Sequence, residues 1–281
     1  MVGGGSFNWE PGEWTDDTSM AIAIAEVAGT GADLRQEEAL DTVARRWHEW
    51  SQHAKDVGVQ TRSVLSRAGR HGISAQTARE ESAALHQRSG RTAGNGSLKR
   101  TAPVALVYLD DEATLVEAAR GLSELTHYDP EASDACVQWC LAIRHAILTG
   151  VLDARIGLQH IPSERRDMWA TRLDVAEASK PVDFPDNGWV VEALQAAWSA
   201  ITTTPIPQDD PAEGVFRAIT CVWRSMPRCA VGMTPTPSPP SRVDCSVPPT
   251  EHQRCPLTGV ECCTAGRACE PVTWWLWPLE S

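Results

Sequence analysis

The sequence predicts an all-α fold for most of its length, and three observations carry that prediction. Apolar residues recur at three- and four-residue spacing in several long segments, as one buried helix face requires. Aspartate, serine and proline recur where those segments begin, and these residues suit the unpaired N–H groups of a first turn. Alternating β-branched stretches, the mark of a half-buried strand, are almost absent.

The first helix is expected from about Thr18 to Ala28, with Asp16 and Asp17 at its head. A second covers roughly Gln36 to His53, where Leu40, Val43, Ala44, Trp47 and Trp50 share one face. Lys55-Asp-Val-Gly-Val-Gln-Thr-Arg62 reads as a turn between helices, capped by Asp56. Further helices are expected over Ala75 to Leu85, Glu112 to Leu122, Pro130 to Leu148, Ser163 to Ala178 and Trp189 to Ile201. No internal repeat is visible, and the loops at helix starts are where functional residues are expected.

Composition limits the partners. The net charge of −12 argues against nucleic acid as a bulk partner, because little would neutralise a phosphate backbone. The longest apolar run, around Met20 to Ala28, is too short to span a bilayer and is broken by Glu26. No basic segment followed by an apolar one stands at Met1, so no secretory signal is read there. The expectation is a soluble, cytoplasmic protein with no nucleic-acid or membrane partner, monomeric by default.

Seven of the nine cysteines and ten of the nineteen prolines lie after Phe216, where apolar periodicity also stops. A boundary is therefore expected near 216, with a helical domain over 1–216 and a Pro/Cys-rich tail over 217–281. The tail contains no C-x2-C pair, and an odd cysteine count suits neither a zinc nor a disulfide framework. A proline-rich, aperiodic tail of this kind is expected to be disordered.

Several short motifs could carry chemistry. Within Thr15-Asp16-Asp17, read alone, Asp17 caps a helix and Asp16 complements its positive end. They are equally the oxygen donors that Mg2+ takes, provided further carboxylates arrive from elsewhere in the chain. In Thr92-Ala-Gly-Asn-Gly-Ser-Leu-Lys-Arg-Thr-Ala-Pro103, Gly94 and Gly96 bracket Asn95 and lead into a short helix. That is a plain turn, or a loop whose backbone, Asn95 and Ser97 approach a phosphate or ribose closely. In Leu125-Thr-His-Tyr-Asp-Pro130, His127 is either a solvated loop histidine or a group able to donate to a diphosphate or stack on a base.

The order WTDDT, DVGVQTR, AGNGSLKR followed by AP, and LTHYDP resembles the ADP-ribosylglycohydrolase family from about Gly3 to Ile201. The resemblance implies an orthogonal α-helical bundle around a two-Mg2+ centre, and hydrolysis of the bond between ADP-ribose and a protein or small-molecule acceptor. By that likeness Thr15, Asp16 and Asp17 are metal ligands, and Gly94, Asn95, Gly96, Ser97 and His127 line the ADP-ribose cleft. Asp56 matches an acidic position that assists the sugar chemistry, and Lys99 stands where a methionine is common. Two metal ions would clamp the sugar hydroxyls and activate water.

Family members carry a second acidic motif, G-[DN]-D-T-D-T, and the chain has no match to it as written. Where it is expected the sequence reads Val231-Gly-Met-Thr-Pro-Thr-Pro-Ser-Pro-Pro-Ser-Arg242. Reading each codon from the last base of one to the first two of the next turns the Met233–Thr234 junction into aspartate without ambiguity. With suitable third bases, Gly232 to Arg242 becomes DDTDTVAAIA, and Arg217 to Gly232 becomes an amphipathic helix. The expectation is a one-nucleotide frameshift near Phe216, in the gene or its sequencing, that removes half of the metal site and impairs this chain. The family also begins with a glycine-rich helix before the WTDDT loop, so the fold is expected to be N-terminally short. The alternatives are a non-catalytic ADP-ribose-binding protein, a non-functional product, and a helical adaptor without ligand.

Overall fold

Acidic and hydroxyl side chains at loop ends set where the helices of this computed structural model begin. Ser74 accepts from the Thr77 N–H and the Thr77 hydroxyl from the Ser74 N–H, a reciprocal cap. Asp111 accepts from the Thr114 N–H at 3.0 Å, and Asp129 from the Glu131 N–H at 3.0 Å. Gly90 (φ +64°) and Gly150 (φ +75°) end the helices before them in the left-handed conformation that glycine takes without strain.

The structure describes Gly4, residues 7–70 and residues 72–205. These form α1 (Asp16–Ala28), α2 (Glu37–Ser51), α3 (Val59–Gly69), α4 (Ala75–Ser89), α5 (Gly96–Arg100) and α6 (Ala102–Val107). They continue as α7 (Glu112–Glu124), α8 (Pro130–Thr149), α9 (Ser163–Ala178) and α10 (Val190–Thr203). Short 3-10 turns cover Ala154–His160 and Pro181–Asp183. Among the described residues there is no strand, only the isolated bridges Gly4 to Trp9 and Gly94 to Trp189. All of them lie in one compact unit, Met1–Gly232. The expected boundary near 216 and the tail beyond it lie outside the described residues.

Two expectations are corrected. α1 starts at Asp16 rather than Thr18, so both aspartates belong to its first turn and Thr15 takes the cap position, with no side-chain capping bond. The segment expected as a turn after Asp56 becomes a helix, α3, from Val59 onward. Its buried face is Thr61, Val64, Leu65 and Ala68, a helical spacing that begins with a polar residue and so escapes an apolar count.

Two apolar clusters form the core. One gathers Ile24, Leu34, Val43, Trp47, Leu65, Leu115 and their neighbours. The other gathers Trp169, Leu173, Phe184, Val190, Leu194 and Trp198. α8 serves both: Val137, Cys140 and Leu141 face the first cluster, while Ala132, Ala135, Cys136 and Trp139 face the second. Every residue from Ala132 to Ala142 on α8 is buried, so that stretch is enclosed on all sides rather than amphipathic. Its one ionisable carboxylate, Asp134, is fully buried and accepts from Arg120 Nη1 (3.2 Å), Arg165 Nε (2.6 Å) and Trp169 Nε1 (3.2 Å). With Arg165 Nη2 also donating at 3.1 Å, four hydrogen bonds from three side chains keep such a charge tolerable inside.

Candidate functional site

The four motif loops, scattered over more than a hundred residues of sequence, converge. The backbone N–H of Asp16 donates to Asp56 Oδ2 at 2.8 Å, which ties the first acidic loop to the loop before α3. Lys99 on α5 places Nζ 3.3 Å from Asp17 Oδ2. Gln60, in the first turn of α3, donates to the carbonyls of Thr92 and Thr126, each at 2.9 Å. One amide side chain thus joins α3 to the glycine loop and to the histidine loop.

Electrostatics at the acidic end are unbalanced. The Asp16 carboxyl is pushed up to about 6, chiefly by burial, then by the charges of Asp17 and Asp56, with Lys99 opposing. Burial also raises Asp56, although the Asp16 N–H that it accepts favours its charged form. The Asp16 and Asp17 carboxylates offer oxygens of the kind a hard cation takes, with the Lys99 ammonium beside Asp17. Among the described residues, no three His, Cys, Asp or Glu side chains converge closely enough to hold a metal ion by themselves. The stretch after Val231, where a second acidic motif is expected, lies outside the described residues.

At the other end, the glycine loop has a sharper logic than a turn. Neither Gly94 nor Gly96 has a positive φ. Their lack of a side chain matters because His127 fills the space. A Cβ on Gly94 would lie 3.2 Å from His127 Nε2, and one on Gly96 would lie 3.3 Å from His127 Cε1. His127 is 2% exposed, so the solvated loop histidine is corrected to a buried one. Burial, with the Arg100 charge beside it, holds its imidazole well below the usual histidine range, so it is neutral. Ser97 is buried beneath the same loop, and the Asn95 side-chain amide donates to the Asn187 carbonyl.

Sequence reasoning missed several residues of this arrangement. The loop Asp186-Asn-Gly-Trp189 clamps the glycine loop: Asn95 N–H donates to Gly188 O at 3.0 Å, and Val190 N–H to Ala93 O at 2.8 Å. The Asp-Asn-Gly turn signal was available there, but not its partner. Arg100, at the end of α5, is fully buried with its guanidinium 4.0 Å from the Trp47 ring centroid. Gln60 and Thr126 carried no signal of their own.

Two cavities flank the convergence. One, of about 410 Å3, is lined by Trp9, Glu13, Trp14, Trp50, Lys55 and Asp56. Inside it Lys55 Nζ lies 2.9 Å from Glu13 Oε2 and 5.6 Å from the Trp9 ring centroid. The other, of about 660 Å3, is lined by Gln60, Arg91, Gly94, Asp129, Trp189 and Glu192, among others. The acidic cluster adjoins the first and the glycine loop adjoins the second. No helix among the described residues is long and apolar enough to cross a membrane.

Comparison with known proteins bears on what such a convergence is for. The family model for ADP-ribosylglycohydrolase matches residues 1–231. The chain is 28% identical over 210 residues to ADP-ribosylarginine hydrolase Tri1 of Serratia proteamaculans, a match covering 73% of this chain and 54% of that protein. It is 30% identical over 207 residues to the protein of the same name from Pseudomonas putida, covering 72% and 53%. It is also 30% identical over 152 residues to the ADP-ribosyl-[dinitrogen reductase] glycohydrolase of Rhodospirillum rubrum, covering 52% and 46%. The chain thus spans about half the length of the curated relatives it matches. A solved structure described as an ADP-ribosylglycohydrolase-related protein complex superposes with a TM-score of 0.48 at 24% identity, over 72% of this chain and 64% of the other.

Proposed function

The chain belongs to the ADP-ribosylglycohydrolase family, and from that premise we propose that its helices are the scaffold of a Mg2+-dependent hydrolase cleaving ADP-ribose from the arginine side chain of a protein. The observation that carries the reading is the tie between Asp56 and the backbone of the Asp16–Asp17 loop, together with a glycine loop seated on His127. Thr15, Asp16 and Asp17 would hold the metal. A divalent ion at that position, when bound, supplies charge to clamp sugar hydroxyls and lowers the pKa of a bound water.

The remaining work falls to this chain's own groups. Asp56 uses Oδ2 to fix the Asp16 backbone and also lines the 410 Å3 cavity. From there its carboxylate can orient a water and accept its proton. The glycine loop, Gly94 to Ser97, and the 660 Å3 cavity beside it would receive the diphosphate and adenosine end. The tryptophan-lined cavity would receive the arginine: Glu13 and Trp9 already hold the chain's own cation, Lys55, by an ion pair and a ring face. Arginine as the acceptor is supported by the names of the two Tri1 relatives.

The carboxylates of the second acidic motif are missing from Gly232 to Arg242, and on that ground we propose that this chain is impaired. Its frameshifted tail withdraws half of the metal site, and the domain proper ends near Phe216. A second reading, an ADP-ribose-binding protein without hydrolysis, is favoured by the lack of three convergent metal-ligating side chains among the described residues. We place either form in the cytoplasm as a monomer. The test compares the chain as it stands with one re-encoded one nucleotide out of frame after Phe216, both with Mg2+ and ADP-ribosyl-arginine. Hydrolysis that rises by orders of magnitude on re-encoding supports the hydrolase reading. Equal hydrolysis by both overturns the frameshift, and ADP-ribose binding with no hydrolysis by either favours the second reading.

A further inference from the structure

The chain of contacts beneath the glycine loop fixes a proton. Arg100 is fully buried, and its guanidinium carries only donors. Arg100 Nη2 donates to Thr126 Oγ1 at 2.6 Å and to the Leu122 carbonyl at 3.3 Å. Thr126 is also fully buried, and its hydroxyl has one other partner, His127 Nδ1, at 2.7 Å. Because Arg100 occupies a lone pair of that oxygen, the Thr126 hydrogen has only Nδ1 to go to. A buried hydroxyl proton left without an acceptor carries its full desolvation penalty. Nδ1 must then accept, which leaves the single imidazole proton on Nε2. That nitrogen faces Gly94 and Gly96 and makes no hydrogen bond among the described residues.

We infer that Arg100 and Thr126 lock His127 as its Nε2–H tautomer, so that the glycine loop presents an aimed, uncharged hydrogen-bond donor to an oxygen acceptor of the ligand. His127 is the contacting group, and Arg100 and Thr126 are positioning residues that act through it. An anion held here is held by direction rather than by a histidine charge. Arg100 supplies a fixed positive charge one hydroxyl further back, stacked on Trp47 and unable to swing into the cleft. Only the identity of the acceptor, a diphosphate oxygen, rests on the function proposed above.

The tautomer is read on the full chain without ligand, from the 15N shifts and ring couplings of His127 in histidine-labelled protein. The expected spectrum shows Nε2 protonated and Nδ1 bare, with no change in Thr126→Ser. In Thr126→Val the Nδ1 donor is gone, and the two nitrogens are expected to average toward a mixture of tautomers. Arg100→Met should move the spectrum the same way. If that variant does not fold, the Thr126 pair still decides. A protonated Nδ1 in the native protein, or a Thr126→Val spectrum identical to native, overturns the proposal. Calorimetry with ADP-ribose then separates the two levels: about tenfold weaker binding in Thr126→Val, retained in Thr126→Ser, is expected. Absence of binding in every form, with the tautomer as expected, removes the proposed function and leaves the lock standing.

Discussion

Asp16 carries a charge that weakens the fold around it. Its carboxyl titrates near 6 in the folded protein against an ordinary 3.8, mainly because of burial and its acidic neighbours. The folded state therefore holds a proton that the unfolded chain gives up. The associated stability is fully present below about 3.8 and is lost as pH rises through about 6. Asp16→Asn is thus expected to melt higher than the native chain at pH 7.5 in EDTA, the difference vanishing at pH 3. Thermal melts at the two pH values check this, and an equal difference at both would sink it. Lys99, with Nζ 3.3 Å from Asp17, performs part of the charge balance that a metal would provide. Lys99→Met removes that competitor, so Mg2+ is expected to bind roughly tenfold tighter, a gain of ~1.4 kcal/mol. Titration calorimetry measures it, and weaker binding would show that Lys99 assists the metal instead.

At the level of elements, α8 decides the packing. Gly157, in the 3-10 turn Ala154–His160, lies so close to α8 that an added Cβ would sit 2.6 Å from Gln138 Cα, a backbone atom unable to yield. Gly157→Ala is expected to destabilise by about 3 kcal/mol, lowering the melting temperature by roughly 6–12 °C. Asp134→Ala leaves Arg165 and Arg120 without their buried partner and is expected to cost about 3–5 kcal/mol. Denaturant titration of both variants checks the order. The sequence shows α7 plainly, because apolar spacing and the Asp111 cap agree there, while α2 is legible by its apolar spacing and α8 by its Asp129-Pro130 start. It conceals α3, whose buried face opens with Thr61, and the 3-10 turn, whose buried Ala154 and Gly157 carry no periodic signal.

Across the described part of the molecule, two apolar clusters share one central helix, so neither can open without exposing α8. Trp47 sits in the first cluster and Trp169 in the second. Tryptophan fluorescence and helical circular dichroism are therefore expected to follow a single, coincident unfolding curve. Two separated transitions would mean that the clusters fold independently. The sequence by itself determined the helical class, the family and the acidic and glycine motifs, because these depend on local periodicity and on the order of residues along the chain. Only the tertiary structure decided what the motifs do to one another. It brings Asp56 to the Asp16 backbone, sets Lys99 against Asp17, and seats two glycines on a buried His127 whose proton is directed by Arg100. Such pairings join residues dozens of positions apart, and burial and proton position depend on the neighbours that packing supplies.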